Sequence, residues 1–102
     1  MNAPTATEPS RRFARQLAAD YDLPFVTIDP AGADPEEYLA VNPLAARLLS
    51  EQVCRHFTML PVSYANGLVT VACAHPPDAV ARDIAASLTG REVYFVIAPE
   101  PE

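Results

Sequence analysis

The sequence predicts an α/β (α+β) fold: a small sandwich of helices on a three- to four-stranded mixed sheet, in the order α-β-α-α-β-β-α-β. Three observations predict it. Residues 60–73, LPVSYANGLVTVAC, read as two strands around Asn66-Gly67, the preferred pair for a two-residue type I′ hairpin turn because both central positions need φ > 0. A capped helix and a final strand then follow the hairpin as a β-α-β unit. Ahead of it, apolar residues recur at helical spacing and are broken by proline.

The hairpin fixes an expected register. Ala65 pairs with Leu68, Tyr64 with Val69, Val62 with Val71 and Leu60 with Cys73. Side chains alternate along a strand, so Leu60, Val62, Tyr64, Val69, Val71 and Cys73 are expected on one core-facing side. The opposite side, with Pro61, Ser63, Ala65, Thr70, Ala72 and Leu68, reads as thin or solvated. Such a hairpin is not stable alone, so the other elements must cover it.

Residues 1–9 read as a flexible leader, residues 10–99 as one domain and residues 100–102 as a tail. Over 10–21 the spacing predicts an amphipathic helix. Phe13, Leu17 and Tyr21 form its packing stripe, with Ala14 and Ala18 beside them. Leu23-Pro24 ends it. Residues 24–28, PFVTI, read as a short strand with proline at an edge or first position. Asp29-Pro30-Ala31-Gly32 is a turn cluster. Asp34-Pro35 opens a short helix with Asp as N-cap. Asn42-Pro43 opens a second, expected to reach about Leu49. Ser50 caps a third over 51–57, with Val53 and Phe57 inward. After the hairpin, His75-Pro76-Pro77-Asp78 starts a helix whose stripe is Val80, Ile84 and Leu88, with Ala81 and Ala85 filling it. Gly90 ends that helix. The last strand, 92–98, is apolar on both faces and so is expected to be covered on both sides.

The chain has 102 residues, half of them hydrophobic, and a net charge of −6. That length fits one domain. All seven basic residues are arginine, too few to give the basic face that nucleic acid requires, so no nucleic-acid partner is expected. No apolar run reaches spanning length, so no direct membrane insertion is expected, and the N-terminus lacks the apolar region of a secretory signal. Cys54 and Cys73 are expected as reduced, buried thiols.

Cys54, His56, Cys73 and His75 could in principle surround a zinc ion. Cys54 and His56, however, are two apart on a helix and diverge by about 200°, so no metal site is expected. Neither a Cys nor a Ser has a convergent base, and no phosphate-cradling loop is present. No catalytic residue and no cofactor is therefore expected. Arg47 and Arg55 could meet an anionic ligand, but they are expected instead as solvated helix residues that balance Glu36, Glu37 and Glu51.

Read together, LPFV at 23–26, DPE at 34–36, LSEQVCRHFTMLPV at 49–62, NGLVTVA at 66–72, HPPD at 75–78 and LTGREV at 88–93 carry a resemblance. They resemble the N-terminal domain of the type II secretion and type IV pilus assembly ATPases, the GspE N-terminal or MshEN family, over about residues 17–99. The resemblance implies a small α/β domain with a regulatory or docking role and no catalysis. It implies a bacterial protein partner in a secretion, pilus or glycosyltransferase assembly, and a cytoplasmic site with recruitment to the inner membrane through that partner. Tyr38, Leu44, Leu48 and Leu68 are the expected interaction surface, with Ser63 and Thr70 beside Leu68.

A subset of the family binds cyclic di-GMP through two motifs. The nearest counterpart of the first here is Arg12-Phe13-Ala14, without its glycine. The second is matched around 49–61, with Ser50 where proline is usual, and His75 replaces an aspartate. Tight cyclic di-GMP binding is therefore not expected. If it occurs, Arg12, Arg55 and Pro61 are the expected contacts.

Overall fold

A computed structural model describes residues 8–28 and 34–99. The elements in order are α1 (Glu8–Asp20), α2 (Pro43–Ala46), α3 (Glu51–Phe57), β1 (Met59–Ala65), β2 (Leu68–Cys73), α4 (Ala79–Thr89) and β3 (Glu92–Ile97). The strands form one sheet in the order β1-β2-β3. β1 and β2 are antiparallel, and β2 and β3 are parallel. The sheet is therefore mixed, as the hairpin and the β-α-β unit predict. The expected turn cluster at 29–32, the tail at 100–102 and most of the expected leader lie outside the described residues.

The hairpin turn has φ of 54° at Asn66 and 78° at Gly67, the left-handed pair that a type I′ turn needs. Ala65 faces Leu68 and Tyr64 faces Val69. Beyond Ser63 and Thr70 the expected register fails. The pairs become Pro61 with Val71, Leu60 with Ala72 and Met59 with Cys73, leaving Val62 as the extra residue of a bulge. The cause is in the sequence: proline has no amide to give a ladder and is accommodated at edge strands and bulges, and β1 is an edge strand. The bulged Val62 turns its carbonyl outward to accept from the Asn42 amide at 2.9 Å.

That one residue redistributes the core. Met59, Val69, Val71, Cys73, Phe95 and Ile97 pack on one face. Val62, Ala72, Val96 and Ala98 pack on the other, joined by Leu60. Leu60 and Val62 thus leave the side expected for them, and the side expected to be thin holds a second core.

Three helices cover the first face through Ala14, Ala18, Val53, Phe57, Ile84 and Ala85. Their ends follow the capping chemistry. The Ser50 side chain accepts from the Val53 amide, Asp78 accepts from Ala81 and Gly90 closes α4 with φ of 65°. α1 ends before Leu23-Pro24 can act, at a Schellman motif. Asp22 takes φ of 56°, and the Leu23 amide reaches back to the Ala18 carbonyl at 2.9 Å.

Irregular chain covers the second face, through Val26, Ile28, Leu39 and Val41. The strand expected over 24–28 contracts to two isolated parallel bridges, Phe25 to Ile97 and Thr27 to Tyr38. The helix expected from Asp34 is a single turn. The Tyr38 amide bonds to the Asp34 carbonyl at 3.0 Å, but the Leu39 amide is already claimed by the Thr27 carbonyl at 2.8 Å. Extended pairing with Thr27 ends the helix before a second turn can form. α2 also stops short, at Ala46 and not near Leu49. Arg15 ties α1 to this layer: it donates to both Glu37 carboxylate oxygens, at 2.8 and 3.3 Å, and stacks 4.9 Å above the Phe25 ring.

Candidate functional site

The alternation of alanine with large apolar residues decides which faces of α1 and α4 are available to a partner. Phe13, Leu17 and Tyr21 are four apart and so share one stripe; Ala14 and Ala18 lie about 100° further round the axis. In the structure the alanines are buried, whereas Phe13 is 61 % and Tyr21 59 % exposed. α4 repeats the arrangement: Ala81 and Ala85 are buried, while Val80 and Leu88 remain more than half exposed. Both expected packing stripes are therefore rotated. Small side chains let a helix backbone approach the sheet closely, and that contact wins over burying the larger residue at its edge. Each helix presents a large apolar pair outward, with Leu17 or Ile84 half-buried between its members.

Of the residues expected to form an interaction surface, Leu44 is 72 % exposed, on α2, and Tyr38 and Leu68 are exposed to a lesser degree. Leu48 is half-buried and packs against the first core. Ser63 and Thr70 are half-buried near the hairpin tip. The residues that sequence reasoning missed are Phe13, Tyr21, Val80 and Leu88. The neighbouring alanine pairs were the available signal.

The residues expected as nucleotide contacts are dispersed. Arg12 is exposed on α1. Arg55 is exposed on α3 and pairs with Glu51 at 2.5 Å, one helical turn away. The Pro61 side chain is fully buried. Arg47 is exposed at the C-cap of α2.

Two cavities lie at one end of the sheet. The larger, about 600 Å³, is lined by Cys54, Arg55, Met59, Leu60, Ala72 and Cys73, together with Ala98 and Pro99. The smaller, about 230 Å³, has His56, Cys73, His75 and Asp78 in its wall. Cys54 and His56 thus face different cavities, as their separation on a helix requires. Among the described residues no group of three or more His, Cys, Asp or Glu side chains could hold a metal ion.

Both cysteines are free thiols, Cys73 buried and Cys54 half-buried. Burial pushes the Cys73 thiol up to about 12, the nearby Arg82 guanidinium only partly opposing it. Burial, and then the Glu51 carboxylate, also raise Cys54. A nucleophilic cysteine needs the reverse, a lowered pKa in an electropositive setting. The arrangement suits recognition by shape and apolar contact better than covalent chemistry.

Comparison with known proteins supports the fold and the family. The MshEN domain family model matches residues 21–102. No curated protein matches the chain in sequence. Among solved structures, MshE with cdg superimposes at a TM-score of 0.67 with 24 % identity, over 92 % of this chain and 61 % of that one. The N-terminal domain of XpsE matches at 0.64 with 23 % identity, over 89 % of this chain and 59 % of that one. A second crystal form of the XpsE domain gives 0.66 at 22 % identity. The chain spans about three fifths of the length of these solved chains, and at such identities the likeness is one of fold.

Proposed function

Because the chain belongs to the MshEN domain family, we propose that it is a non-catalytic protein-interaction and regulatory module of a bacterial type II secretion, type IV pilus or glycosyltransferase assembly. It works in the cytoplasm and reaches the inner membrane through its partner. The observation that carries this reading is the outward turn of the large apolar residues on α1 and the turn that ends it, at Phe13 and Tyr21, and on α4, at Val80 and Leu88. Aromatic and aliphatic side chains left outside a folded core are the usual material of interface anchors. Leu44, Tyr38 and Leu68 add to the available surface.

Other features agree with the proposal. A net charge of −6 opposes nucleic acid and anionic lipid. No helix among the described residues is long and apolar enough to cross a membrane. The raised thiols disfavour cysteine nucleophiles.

A pull-down from the native host tests the reading. The wild-type domain is expected to retain a secretion, pilus or glycosyltransferase component that an unfolded Val71→Asp control does not. Equal retention by both, or retention of none of these components, contradicts it.

A second reading is a cyclic di-GMP sensor, favoured by the likeness to MshE, which was solved with cdg. Against tight binding stand the missing glycine after Arg12-Phe13-Ala14, the histidine at 75 and the burial of Pro61. Calorimetry is expected to give a dissociation constant weaker than about a micromolar. Tighter binding, weakened by Arg12→Ala or Arg55→Ala, favours the sensor.

A further inference from the structure

The larger cavity opens where β2 and β3 end together. These strands are parallel, with Cys73 level with Ile97, and the residues just beyond them, Ala74 and Ala98, line the opening. Ligands of open α/β sheets characteristically bind outside the carboxyl ends of parallel strands. The space exists because the side chains there are small: Ala72, Cys73, Ala74 and Ala98. At the opposite end of the same strands stand Leu68 and Glu92. The volume, about 600 Å³, lies within the range of small-molecule sites, roughly 300–1,000 Å³.

The lining is mostly apolar, with Thr58 and Arg55 as the exceptions among the described residues. Met59 and Cys73 reach it from the first core, and Leu60, Ala72 and Ala98 from the second, so an occupant would touch both. Arg55 is the one charged residue of the wall among the described residues. Among the described residues its guanidinium pairs with Glu51 on the same exposed helix face, a pairing weak enough in water to be exchanged for a ligand carboxylate. The backbone at the lip is already satisfied: the Ala74 amide donates to the Thr58 carbonyl at 3.1 Å and the Ala98 amide to the Cys73 carbonyl at 2.9 Å. Among the described residues, apolar surface, Thr58 and one positive charge are left to recognise a ligand.

We propose that this cavity binds a small free amphipathic anion, an apolar body bearing one carboxylate, with the body against Met59, Leu60 and Ala72 and the carboxylate on Arg55. The site is separate from the outward stripes of α1 and α4, so the proposal stands or falls independently of the docking reading.

The test is an amide-resolved NMR titration of the full chain with octanoate, decanoate and decyltrimethylammonium. Decanoate is expected to shift the amides of Cys54, Ala72, Ala74 and Ala98 saturably. It should bind about tenfold tighter than octanoate, from two further buried methylenes, and tighter than the cation of equal chain length. Arg55→Gln, at an exposed position, should weaken decanoate about fivefold and abolish the preference for the anion. Ala74→Leu, which narrows the opening, should weaken both acids while leaving the rest of the spectrum in place. Four results overturn the proposal. Shifts could fail to saturate or spread along α1 and α4. The cation could bind as tightly as the anion. Arg55→Gln could leave the decanoate affinity unchanged. Anionic phospholipid vesicles could reproduce the same shifts where free decanoate does not.

Discussion

On one face of the sheet, Val69, Val71 and Ile97 lie under three helices. On the other, Val62, Val96 and Ala98 lie under chain that joins its neighbours by two isolated bridges. Val62, Val71 and Ile97 are all completely inaccessible to solvent, so the two faces are equally well sealed by different means. A helix satisfies its own backbone before it docks, and packing needs to supply only apolar contact. The irregular layer has no such independence. Its amides depend on single bonds to the sheet edges and to each other: Val26 to the Ile97 carbonyl, Asn42 to that of Val62, Thr27 to that of Glu37. The helical face can therefore vary in its outward residues without losing the fold, which is where the exposed stripes lie. The irregular face is held by particular bonds.

Aspartate substitutions break the comparison most severely. Val71→Asp buries a carboxylate beneath the helices, and Val62→Asp buries one beneath the irregular layer. Each is expected to cost several kcal/mol against a total of about 5–15, and both variants should lack a cooperative melt by circular dichroism. A folded Val62→Asp would mean that the second face is solvated.

Alkali probes the helical face through Cys73. Below pH 9.0, the ordinary thiol value, both folded and unfolded chains keep the proton; between there and about 12 the unfolded chain ionises first. Stability is therefore full below pH 9 and falls as pH rises toward 12, and Cys54, also raised, acts in the same direction. Denaturant midpoints for wild type and Cys73→Ala should diverge less as the pH rises across that window. A constant difference would contradict the burial argument.

Smaller effects sharpen the contrast from the irregular side. Arg15→Ala removes both the Glu37 pair and the stacking on Phe25, and is expected to cost about 1 kcal/mol after allowing for solvent screening, measured by urea titration. Thr27 runs the other way. Its hydroxyl is buried with no hydrogen-bond partner among the described residues, and valine has nearly its shape. Thr27→Val should leave the fold intact and raise stability by up to about 1 kcal/mol; a loss of stability in the same titration would reveal a partner for the hydroxyl.

The legibility of these regions in the sequence follows the same division. Periodicity and caps made α3, α4, the hairpin turn and β3 readable, because Ser50, Asp78, Asn66-Gly67 and Gly90 each act within a few residues. The bulge at Val62 was signalled by Pro61, but a proline can end, edge or bulge a strand, and the register beyond it depends on Ala72 and Val96, far along the chain. The rotation of α1 and α4 was hidden because Phe13 and Ala14, or Val80 and Ala81, are neighbours on the helix surface. Which one faces the sheet depends on how close the helix can come. PFVTI reads as a strand from its β-branched and aromatic residues, but it pairs only through the single bridges to Ile97 and Tyr38, partners far along the chain that its own residues do not reveal. The cavity could not be read at all, since it arises where the consecutive Ala72, Cys73 and Ala74 meet the distant Ala98.

The central claim is that recognition belongs to side chains that folding does not use. It is tested most directly by partner retention in a quadruple variant, Phe13→Ser, Tyr21→Ser, Val80→Ser and Leu88→Ser. These residues are more than half exposed, so each change should move stability by no more than about 0.5 kcal/mol, and the melting temperature should stay close to wild type. The account predicts that this folded variant no longer retains the secretion, pilus or glycosyltransferase component that the wild-type domain captures. Undiminished retention by the folded variant would contradict it.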